Sequence, residues 1–291
     1  MINIDSLNFS YVSGIRRSQP VLNNLSMDIP PGRSVGVLGA NGVGKSTLLR
    51  LIAGTLTPDF ASDRGTFQVL NHFPRDRSLD FLQQIFIVPE SFELPDISGH
   101  WYADRLCGFY PLFDAELFSD LLQRFELDHH HILSEMSFGQ KKKFLVAFAL
   151  ATRCPLILMD EPTNGMDIPS KSAFRDAVIE TQRDDQTILI STHQVRDLES
   201  IIDSVVLMNN DVSSWVDLNL LYQSISQVNG DSELPILYSE TRLGSPVSLV
   251  AAALDNHTDI DLELLFNAFH YNSDGLLNAI QSTEANKEAS A

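Results

Sequence analysis

The chain has 291 residues, of which 44% are hydrophobic, enough for one large domain, or one domain with an appendage, around a packed core. Its formal net charge is −18, and the last 81 residues hold 12 acidic and 2 basic residues. Because so acidic a chain repels phosphate backbones at long range, the composition argues against a protein that coats nucleic acid. Any anion site in the chain must therefore be local and built from backbone dipoles.

Neither the cysteines nor the apolar segments indicate an extracellular or membrane-spanning protein. Cys107 and Cys154 form no Cys-x-x-Cys pair, so we expect packing residues in a reducing compartment rather than a disulfide or a zinc site. The segment MINIDSLNFSY at 1–11 has no basic region followed by an apolar run, and we expect no signal peptide there. The apolar stretch FLVAFALA at 144–151 is far shorter than the ~20 residues that span a bilayer.

The segment RSVGVLGANGVGKSTLLRLIAG at 33–54 contains a phosphate-binding pattern. Residues 35–38 predict a short buried strand, and residues 39–46 fit G-x-x-x-x-G-K-[ST]. Glycines let such a loop turn its N–H groups inward around a phosphate, and leucines at helical spacing follow, which places that phosphate at a helix N-terminus. Lys45 would bring its charge to the β- and γ-phosphates, and the Ser46 hydroxyl could bind Mg²⁺. The candidate phosphate-binding residues are Gly39, Asn41, Gly42, Gly44, Lys45, Ser46 and Thr47. The alternative is a glycine-rich turn before an ordinary helix.

A second apolar strand ends in a carboxylate. In QIFIVPESFE at 84–93, the predicted strand 85–88 stops at Pro89, and Glu90 follows. Glu90 could offer a carboxylate oxygen to Mg²⁺. The alternative is that Glu90 turns to solvent.

Residues 92–153 predict a helical insert in the sheet. Asp114 is a candidate N-cap, followed by an apolar stripe that we interpret as the core face of a helical lobe. The stripe comprises Leu117, Phe118, Leu121, Leu122 and Phe125. The triplet at 129–131, three histidines, is interpreted as a solvated loop rather than a metal site.

The insert ends with a second candidate anion site. In MSFGQ at 136–140, three polar or small residues precede the apolar helix KKKFLVAFALAT, so a hydroxyl and free N–H groups would face an anion at the helix N-terminus. These residues are Ser137, Gly139 and Gln140. The lysines at 141–143 predict a solvated face.

Two further strands end in candidate catalytic groups. In PLILMDEP at 155–162, an apolar strand closes on Asp160 and Glu161, whose side chains point to opposite sides of the strand. Asp160 could hold Mg²⁺ through a water, and Glu161 could accept a proton from a water aligned with the γ-phosphorus. In TILISTHQ at 187–194, a third strand ends at His193. Carboxyl ends of parallel strands meet at one edge of a sheet, so we expect these three groups to lie together, although each could be a solvated or structural residue.

These spacings resemble the ATP-binding subunit of an ABC transporter over residues 1 to about 210. MSFGQ resembles the signature Leu-Ser-Gly-Gly-Gln, with Met136 and Phe138 substituted, and TNGMD resembles the loop after the second carboxylate strand. His193 falls at the position of the family's switch histidine, and IVPE stands where the family reads Val-Pro-Gln, with Glu90 in place of glutamine. Tyr11 resembles the aromatic residue that stacks on adenine; an edge-strand tyrosine is the alternative.

The resemblance implies an α/β P-loop NTPase core with a helical subdomain at about 92–153 and a small C-terminal extension. We expect an ATP-binding domain over 1–230 and the extension over 231–291. In and before that extension, YQSISQV predicts a helix and ILYSE a strand, while TDIDLELLFNAF resembles the helix that often closes this ATPase domain. The tail after Gln281 is predicted to be disordered.

The resemblance further implies a Mg²⁺-dependent ATPase in which Glu161, His193 and Lys45 are catalytic. Its cofactors would be ATP and Mg²⁺, the metal held by Ser46, Glu90 and Asp160. Two copies would pair head to tail, each signature segment closing on the partner's γ-phosphate. A separate transmembrane permease would hold the pair at the cytoplasmic face of the membrane, with no nucleic-acid partner.

The segment FYPLFDAELF at 109–118 resembles the ABC-2, export-type subgroup, which favours an exporter. One alternative is a soluble ABC-type ATPase, such as an iron–sulfur assembly ATPase. Another is a regulatory protein that binds ATP without turnover, and the presence of Lys45, Asp160, Glu161 and His193 argues against it.

Overall fold

The computed structural model describes residues 1–13, 16–17, 20–58, 66–210, 212–254 and 260–288. The strands in these ranges are β1 (Ile2–Phe9), β2 (Val12–Ser13), β3 (Arg16–Arg17), β4 (Leu22–Ile29), β5 (Ser34–Gly39), β6 (Phe67–Val69), β7 (Ile85–Val88), β8 (Leu156–Asp160), β9 (Thr187–Thr192), β10 (Ser204–Met208), β11 (Ser213–Asp217), β12 (Ser226–Asn229), β13 (Ile236–Arg242) and β14 (Ser245–Val250). The α-helices are α1 (Lys45–Ile52), α2 (Leu79–Leu82), α3 (Gly99–Leu106), α4 (Ala115–Arg124), α5 (Phe138–Ala151), α6 (Ile168–Thr181), α7 (Leu218–Tyr222) and α8 (Leu262–Glu288).

A six-stranded sheet in the order β11-β10-β5-β9-β8-β7 forms the centre of the protein. All neighbouring pairs are parallel except β10 and β11, which are antiparallel. Every residue of β5, β8, β9 and β10 is buried, as expected for parallel strands covered on both faces. The predicted α/β class is therefore confirmed, and the carboxyl ends of β5, β7, β8 and β9 meet at one edge.

The phosphate-loop helix α1 lies between the central sheet and a three-stranded antiparallel sheet, β4-β1-β6. Its buried face carries Leu48, Leu49, Leu51 and Ile52, each fully buried in a core shared with both sheets. Burying four large aliphatic side chains contributes on the order of 1.5–3 kcal/mol each before entropy costs. Helix α1 is thus fixed on both sides, which holds the loop before it in place.

The predicted insert at 92–153 contains α3, α4 and α5, which form a helical lobe between β7 and β8. Asp114 caps α4 as predicted, because its Oδ1 accepts the Leu117 N–H at 2.9 Å. On α5, the rings of Phe144 and Phe148 pack edge to face against Tyr102 of α3. This aromatic core joins α5 to the lobe and orients the residues that precede it.

The C-terminal segment forms a third sheet, β12-β14-β13, and the long helix α8. The predicted strand ILYSE is confirmed within β13, but the predicted helix YQSISQV is wrong. Helix α7 ends at Tyr222, and β12 pairs with β14 through Ser226 and Val250, a contact that local periodicity does not reveal. Strand β12 therefore precedes the boundary predicted at residue 230, yet it pairs with a strand beyond that boundary.

Helix α8 contains residues 262–269 of the predicted closing segment, whose first two residues, 258–259, lie outside the described residues, and it continues beyond that segment with a kink at Asn272. Residues 282–288 belong to this helix, so the prediction of a disordered tail after Gln281 is wrong for the described residues. Leu276 and Ile280, both buried, anchor the second half of the helix to the core. Within the described ranges, no helix combines the length and the apolar character that crossing a bilayer requires.

Candidate functional site

The loop between β5 and α1 has a backbone that requires glycine. Gly42 and Gly44 have φ angles of 81° and 114°, values that side-chain-bearing residues resist. A Cβ at Gly44 would also lie 2.9 Å from Leu22 Cδ2. Gly44 is the N-cap of α1 and has no side chain with which to cap the first N–H groups of the helix. This geometry suits a phosphate at the helix N-terminus.

Lys45 lies folded over that loop. The side chain is buried, and its Nζ donates a hydrogen bond to the Gly39 carbonyl at 2.7 Å. Burial lowers the pKa of Lys45, and the charges of Glu161, Asp160 and Glu90 oppose that shift. The negative charges of the three carboxylates thus act on Lys45, the cation of the phosphate loop.

Ser46 and Asp160 form a pair of hard oxygen groups beside Lys45. The Ser46 hydroxyl donates to Asp160 Oδ1 at 3.0 Å, and the Ser191 hydroxyl donates to the same oxygen. Asp160 is 2% exposed, so this orientation is fixed from two sides. A hydroxyl next to a carboxylate fits Mg²⁺, which usually takes one or two protein ligands and completes its shell with water and substrate phosphates.

Across the described ranges, no group of three or more His, Cys, Asp or Glu side chains could hold a metal ion by itself. The histidines at 129–131 are exposed and lie in a turn, which fits their interpretation as a solvated loop. A metal at the Ser46–Asp160 pair would depend on the nucleotide for its remaining ligands.

Glu161 is held by residues at the end of β9. The Thr192 hydroxyl donates to Glu161 Oε2 at 3.2 Å, and His193 Nδ1 lies 2.9 Å from Oε1. The backbone of Glu161 has a φ of 47°, a left-handed conformation that costs a non-glycine residue roughly 1–3 kcal/mol. Its N–H donates to the Ser191 carbonyl at 3.0 Å, which holds that turn.

Most of the predicted site residues line one cavity, here called the phosphate-loop cavity. Its lining residues are Tyr11, Val21, Asn41, Gly42, Gly44, Lys45, Ser46, Thr47, Glu90, Glu161 and His193. Of the other predicted residues of this region, Gly39 accepts from Lys45 and Asp160 accepts from Ser46, directly beneath the cavity. The Tyr11 hydroxyl shares a hydrogen bond of 3.0 Å with Thr47 Oγ1, which ties the predicted adenine-stacking residue to α1.

The signature residues lie elsewhere, in a second cavity here called the signature cavity. Its lining residues are Ser137, Gly139, Gln140, Lys143, Gly165, Met166, Asp167 and Ser170. None of them lines the phosphate-loop cavity. A Cβ on Gly139 would lie 2.5 Å from the Gly165 carbonyl oxygen, so glycine permits the close approach of the signature segment to the TNGMD loop.

Lys142 was predicted to lie on a solvated face, and this prediction is wrong. The side chain is fully buried, and its Nζ donates to the backbone carbonyls of Pro89, Glu90 and Asp160 at 2.9, 3.0 and 3.2 Å. Burial lowers its pKa to about 8, although the charges of Asp160, Glu90 and Glu161 oppose the shift. Lys141 and Lys143 are also followed, four and seven residues later, by buried apolar residues, so helical periodicity in the sequence does not distinguish Lys142 from its neighbours.

The other two lysines of that run are partly exposed, as predicted for all three. Lys141 Nζ donates to the Ser134 carbonyl at 2.8 Å, and Lys143 Nζ donates to the Ser170 hydroxyl at 3.3 Å. Three chemically identical neighbours thus occupy three different environments.

The known proteins that this chain resembles are ATP-binding proteins of transport systems. A protein-family model described as ABC transporter matches residues 22–164. ABC transporter ATP-binding protein NatA of Bacillus subtilis (strain 168) is 30% identical over 211 residues, which cover 70% of this chain and 84% of NatA. ABC transporter ATP-binding protein YtrB of the same organism is 29% identical over 213 residues, covering 72% of this chain and 70% of YtrB. Molybdate import ATP-binding protein MolC of Haemophilus influenzae is 28% identical over 213 residues, covering 72% of this chain and 79% of MolC.

Solved structures share the fold. One described as an ATP binding subunit of an ABC transporter has a TM-score of 0.65 at 24% identity, and the match covers 76% of this chain and 91% of that one. Another, described as a dimeric structure of MJ0796, a bacterial ABC transporter cassette, has a TM-score of 0.63 at 22% identity, with 75% of this chain and 99% of the other covered. The central sheet and the helical lobe described above are thus a known arrangement.

Proposed function

This chain belongs to the ABC transporter family as an ATP-binding subunit that hydrolyses ATP, and from that premise we propose that two copies pair head to tail and drive a separate membrane subunit. The observation that carries the proposal is the division of the predicted site between two cavities. One cavity holds the phosphate loop, and the other holds the signature residues Ser137, Gly139 and Gln140. Pairing of two copies would complete each phosphate-loop cavity with the signature segment of the partner, as the family resemblance implies.

Within the phosphate-loop cavity, we assign the general base to Glu161. Its two carboxylate oxygens are engaged by the Thr192 hydroxyl and the His193 ring, which would orient the carboxylate toward an attacking water. As the water oxygen attacks the γ-phosphorus, its proton would pass to Glu161, the bond from the γ-phosphorus to the β,γ-bridging oxygen would break, and ADP and phosphate would leave.

Nucleotide binding is assigned to the loop and to the first turn of α1. The uncapped N–H groups after Gly44 and the ammonium of Lys45 would bind the phosphates, and Tyr11 would stack on the adenine. Ser46, Asp160 and Glu90 would hold Mg²⁺ together with the phosphates. When bound, Mg²⁺ neutralises charge on the phosphate oxygens.

The sequence resemblance and the named relatives differ on the direction of transport. Only the segment FYPLFDAELF at 109–118 favours export, whereas the relatives include a protein named for molybdate import. We therefore propose a membrane subunit as partner, at the cytoplasmic face of the membrane, with transport in either direction.

Complementation between two inactive variants tests the head-to-tail pair. Lys45→Met disables the phosphate loop, and Ser137→Arg blocks the signature segment, so each pure protein should lose turnover. A mixed pair contains one site in which both halves are intact. An equimolar mixture should therefore recover up to about a quarter of the wild-type ATPase rate, if exchange is random and sites act independently.

For wild type, the specific activity should also rise with protein concentration until pairing saturates. A mixture that is no more active than the sum of its parts, together with a specific activity independent of concentration, would contradict the pairing.

Copurification of the native complex tests the membrane partner. A multi-helix membrane protein retained with this chain in mild detergent supports the proposal. Recovery of a soluble scaffold in its place would support the alternative of a soluble ATPase, such as one for iron–sulfur assembly. Lys45→Met is a suitable control, because loss of nucleotide binding should not by itself remove a stably bound partner.

A further inference from the structure

A fully buried lysine in the second turn of α5 has no place in the nucleotide chemistry assigned above. Lysine is almost never fully buried without partners, since desolvation of an ammonium costs several kcal/mol. We propose that Lys142 is a positioning residue that fastens the loop beginning at Glu90 to the signature segment and thereby holds the Glu90 side chain toward the phosphate-loop cavity.

The Lys142 ammonium is hydrogen-bonded to three backbone carbonyls. Lys142 Nζ donates to the carbonyls of Pro89 and Glu90, which directly follow β7, and to the carbonyl of Asp160, the last residue of β8. All three donors of the ammonium are therefore used. Strands β7 and β8 are parallel neighbours, with Val88 paired to Met159, so one side chain from α5 bridges the ends of both. This ammonium thus links the backbone at Glu90 to the end of β8, where Asp160 is the last residue and Glu161 follows.

A further support is an aromatic enclosure. The Lys142 ammonium lies 5.3 Å from the ring centre of Phe92 and 5.5 Å from that of Phe138. The two rings are themselves stacked, with centroids 5.8 Å apart and planes 28° from parallel. The quadrupole of an aromatic ring attracts a cation that lies near its face, and the attraction is stronger where water is excluded. Phe92 belongs to the loop after β7 and Phe138 to the signature segment, so the ammonium joins these two segments through side chains as well.

Two departures from the family pattern lie at the Lys142 ammonium. Glu90 stands where the family has glutamine, and Phe138 stands within the signature in place of glycine. These two positions are 48 residues apart in sequence, yet both contact the Lys142 ammonium, one through its carbonyl and the other through its ring. The substitutions are thus parts of one local assembly and not separate surface changes.

The consequence concerns Glu90. Its carboxylate lines the phosphate-loop cavity, where it would repel ATP in the absence of metal and would offer an oxygen to Mg²⁺ in its presence. With Lys142 in place, the backbone of Glu90 cannot move without moving α5. This inference rests on the proposed function only in that ATP occupies the cavity; it does not require a second copy.

A double-mutant cycle on ATP affinity tests the proposal without using turnover. ATP affinity is measured by calorimetry in EDTA, at protein concentrations that keep the chain monomeric, for wild type, Glu90→Gln, Lys142→Met and the double variant. Methionine keeps the length and apolar volume of lysine but lacks its donors and charge. In the wild-type background, Glu90→Gln should tighten ATP binding roughly fivefold, because a fixed negative charge near the phosphates is removed. In the Lys142→Met background the same change should have an effect below about twofold, because the released loop no longer holds Glu90 in the cavity.

The cycle separates positioning from general stabilisation. A lysine that only stabilised the fold would alter ATP affinity by the same factor in both Glu90 backgrounds, and the two effects would be additive. An effect of Glu90→Gln that is the same in both backgrounds, including no effect in either, would overturn the proposal. Lys141→Met is the matched control, since it removes an adjacent, partly exposed lysine of the same helix and should leave the effect of Glu90→Gln unchanged.

A replacement variant and the ATP affinity of the wild-type chain complete the experiment. If thermal melting shows that Lys142→Met does not fold, Lys142→Gln replaces it in the cycle, because its amide removes the charge and still caps one of the carbonyls. A wild-type chain that binds no ATP would refute the proposed function itself. ATP binding with an additive cycle would refute only the role of Lys142.

Discussion

The two helix N-termini that the sequence identifies as anion sites differ in one structural respect. Helix α1 begins after Gly44, which has no side chain to cap it, so its first N–H groups are left for a ligand. Helix α5 begins after Ser137, whose Oγ accepts the Gln140 N–H at 3.3 Å, while Gln140 Oε1 accepts the Ser137 N–H at 2.9 Å. This reciprocal pair is a capping box. One end is open and the other is closed by its own side chains.

The difference indicates a division of labour. An open N-terminus can bind phosphate without rearrangement, since its donors have no competing partner. The closed end is stable by itself and would have to exchange part of its cap for an anion, such as the γ-phosphate presented by a second copy. The chain should therefore bind nucleotide at α1 as a monomer and use α5 only in a pair.

We expect the substitution Glu161→Gln to have the greatest effect on turnover and to trap the pair of copies. Glu161→Gln should lower ATP turnover by roughly 10³-fold, because an amide cannot accept the proton of the attacking water. ATP binding should persist, and a dimer should accumulate in ATP and not in ADP, measured by size-exclusion chromatography with light scattering. Hydrolysis within threefold of wild type, about 0.6 kcal/mol of barrier, would show that Glu161 is not the general base.

The next effect tests how far the open end depends on its lysine. Lys45→Met should weaken ATP binding about 100-fold, roughly 2.7 kcal/mol, which is the range of a hydrogen bond to a charged group in a buried site. Residual binding should remain, because the uncapped N–H groups of α1 are unchanged. Calorimetry measures both affinities, and Lys141→Met, outside the cavity, should bind ATP as wild type does. A loss below threefold would mean that the helix end binds phosphate without the ammonium.

The open end was predictable from the sequence because its determinants are local. Residues 35–38, 85–88, 156–159 and 188–190 are apolar runs bounded by polar residues, and each became a strand of the central sheet. Parallel strands place their carboxyl ends together, so the proximity of Asp160, Glu161 and His193 followed from strand order alone.

The environment of Lys142 was not predictable in the same way. Lys141, Lys142 and Lys143 are identical in composition and adjacent in sequence, and only the docking of α5 against the ends of β7 and β8 distinguishes them. The β12 segment was misassigned for a related reason, since its strand conformation depends on pairing with Val250, 24 residues beyond Ser226. Contacts that are distant in sequence outweigh local preference in both cases.

The third prediction concerns substitutions of Glu90, in the loop after β7. Glu90→Gln should keep turnover within about tenfold of wild type, ~1.4 kcal/mol, because the amide offers an oxygen at the same place. The dependence of the rate on Mg²⁺ should become shallower, since the carboxylate that favours metal is gone. Glu90→Ala should lower the rate more than Glu90→Gln does, because it removes the oxygen as well as the charge. Steady-state rates over a Mg²⁺ titration measure this order, and the reverse order would place Glu90 outside the metal site.

The mildest change removes one half of the capping box at the N-terminus of α5. Ser137→Ala removes the oxygen that accepts the Gln140 N–H, and loss of such a cap costs about 1 kcal/mol of stability. In a chain of this size the melting temperature should fall by roughly 2–4 °C. The ATP affinity of the monomer should not change, because Ser137 lies outside the phosphate-loop cavity. Gln140→Ala removes the other half of the box and is the matched variant. If either substitution weakened ATP binding by the monomer as much as Lys45→Met does, the two helix ends would have to serve the same nucleotide within one chain, and the distinction between an open and a closed end would no longer hold.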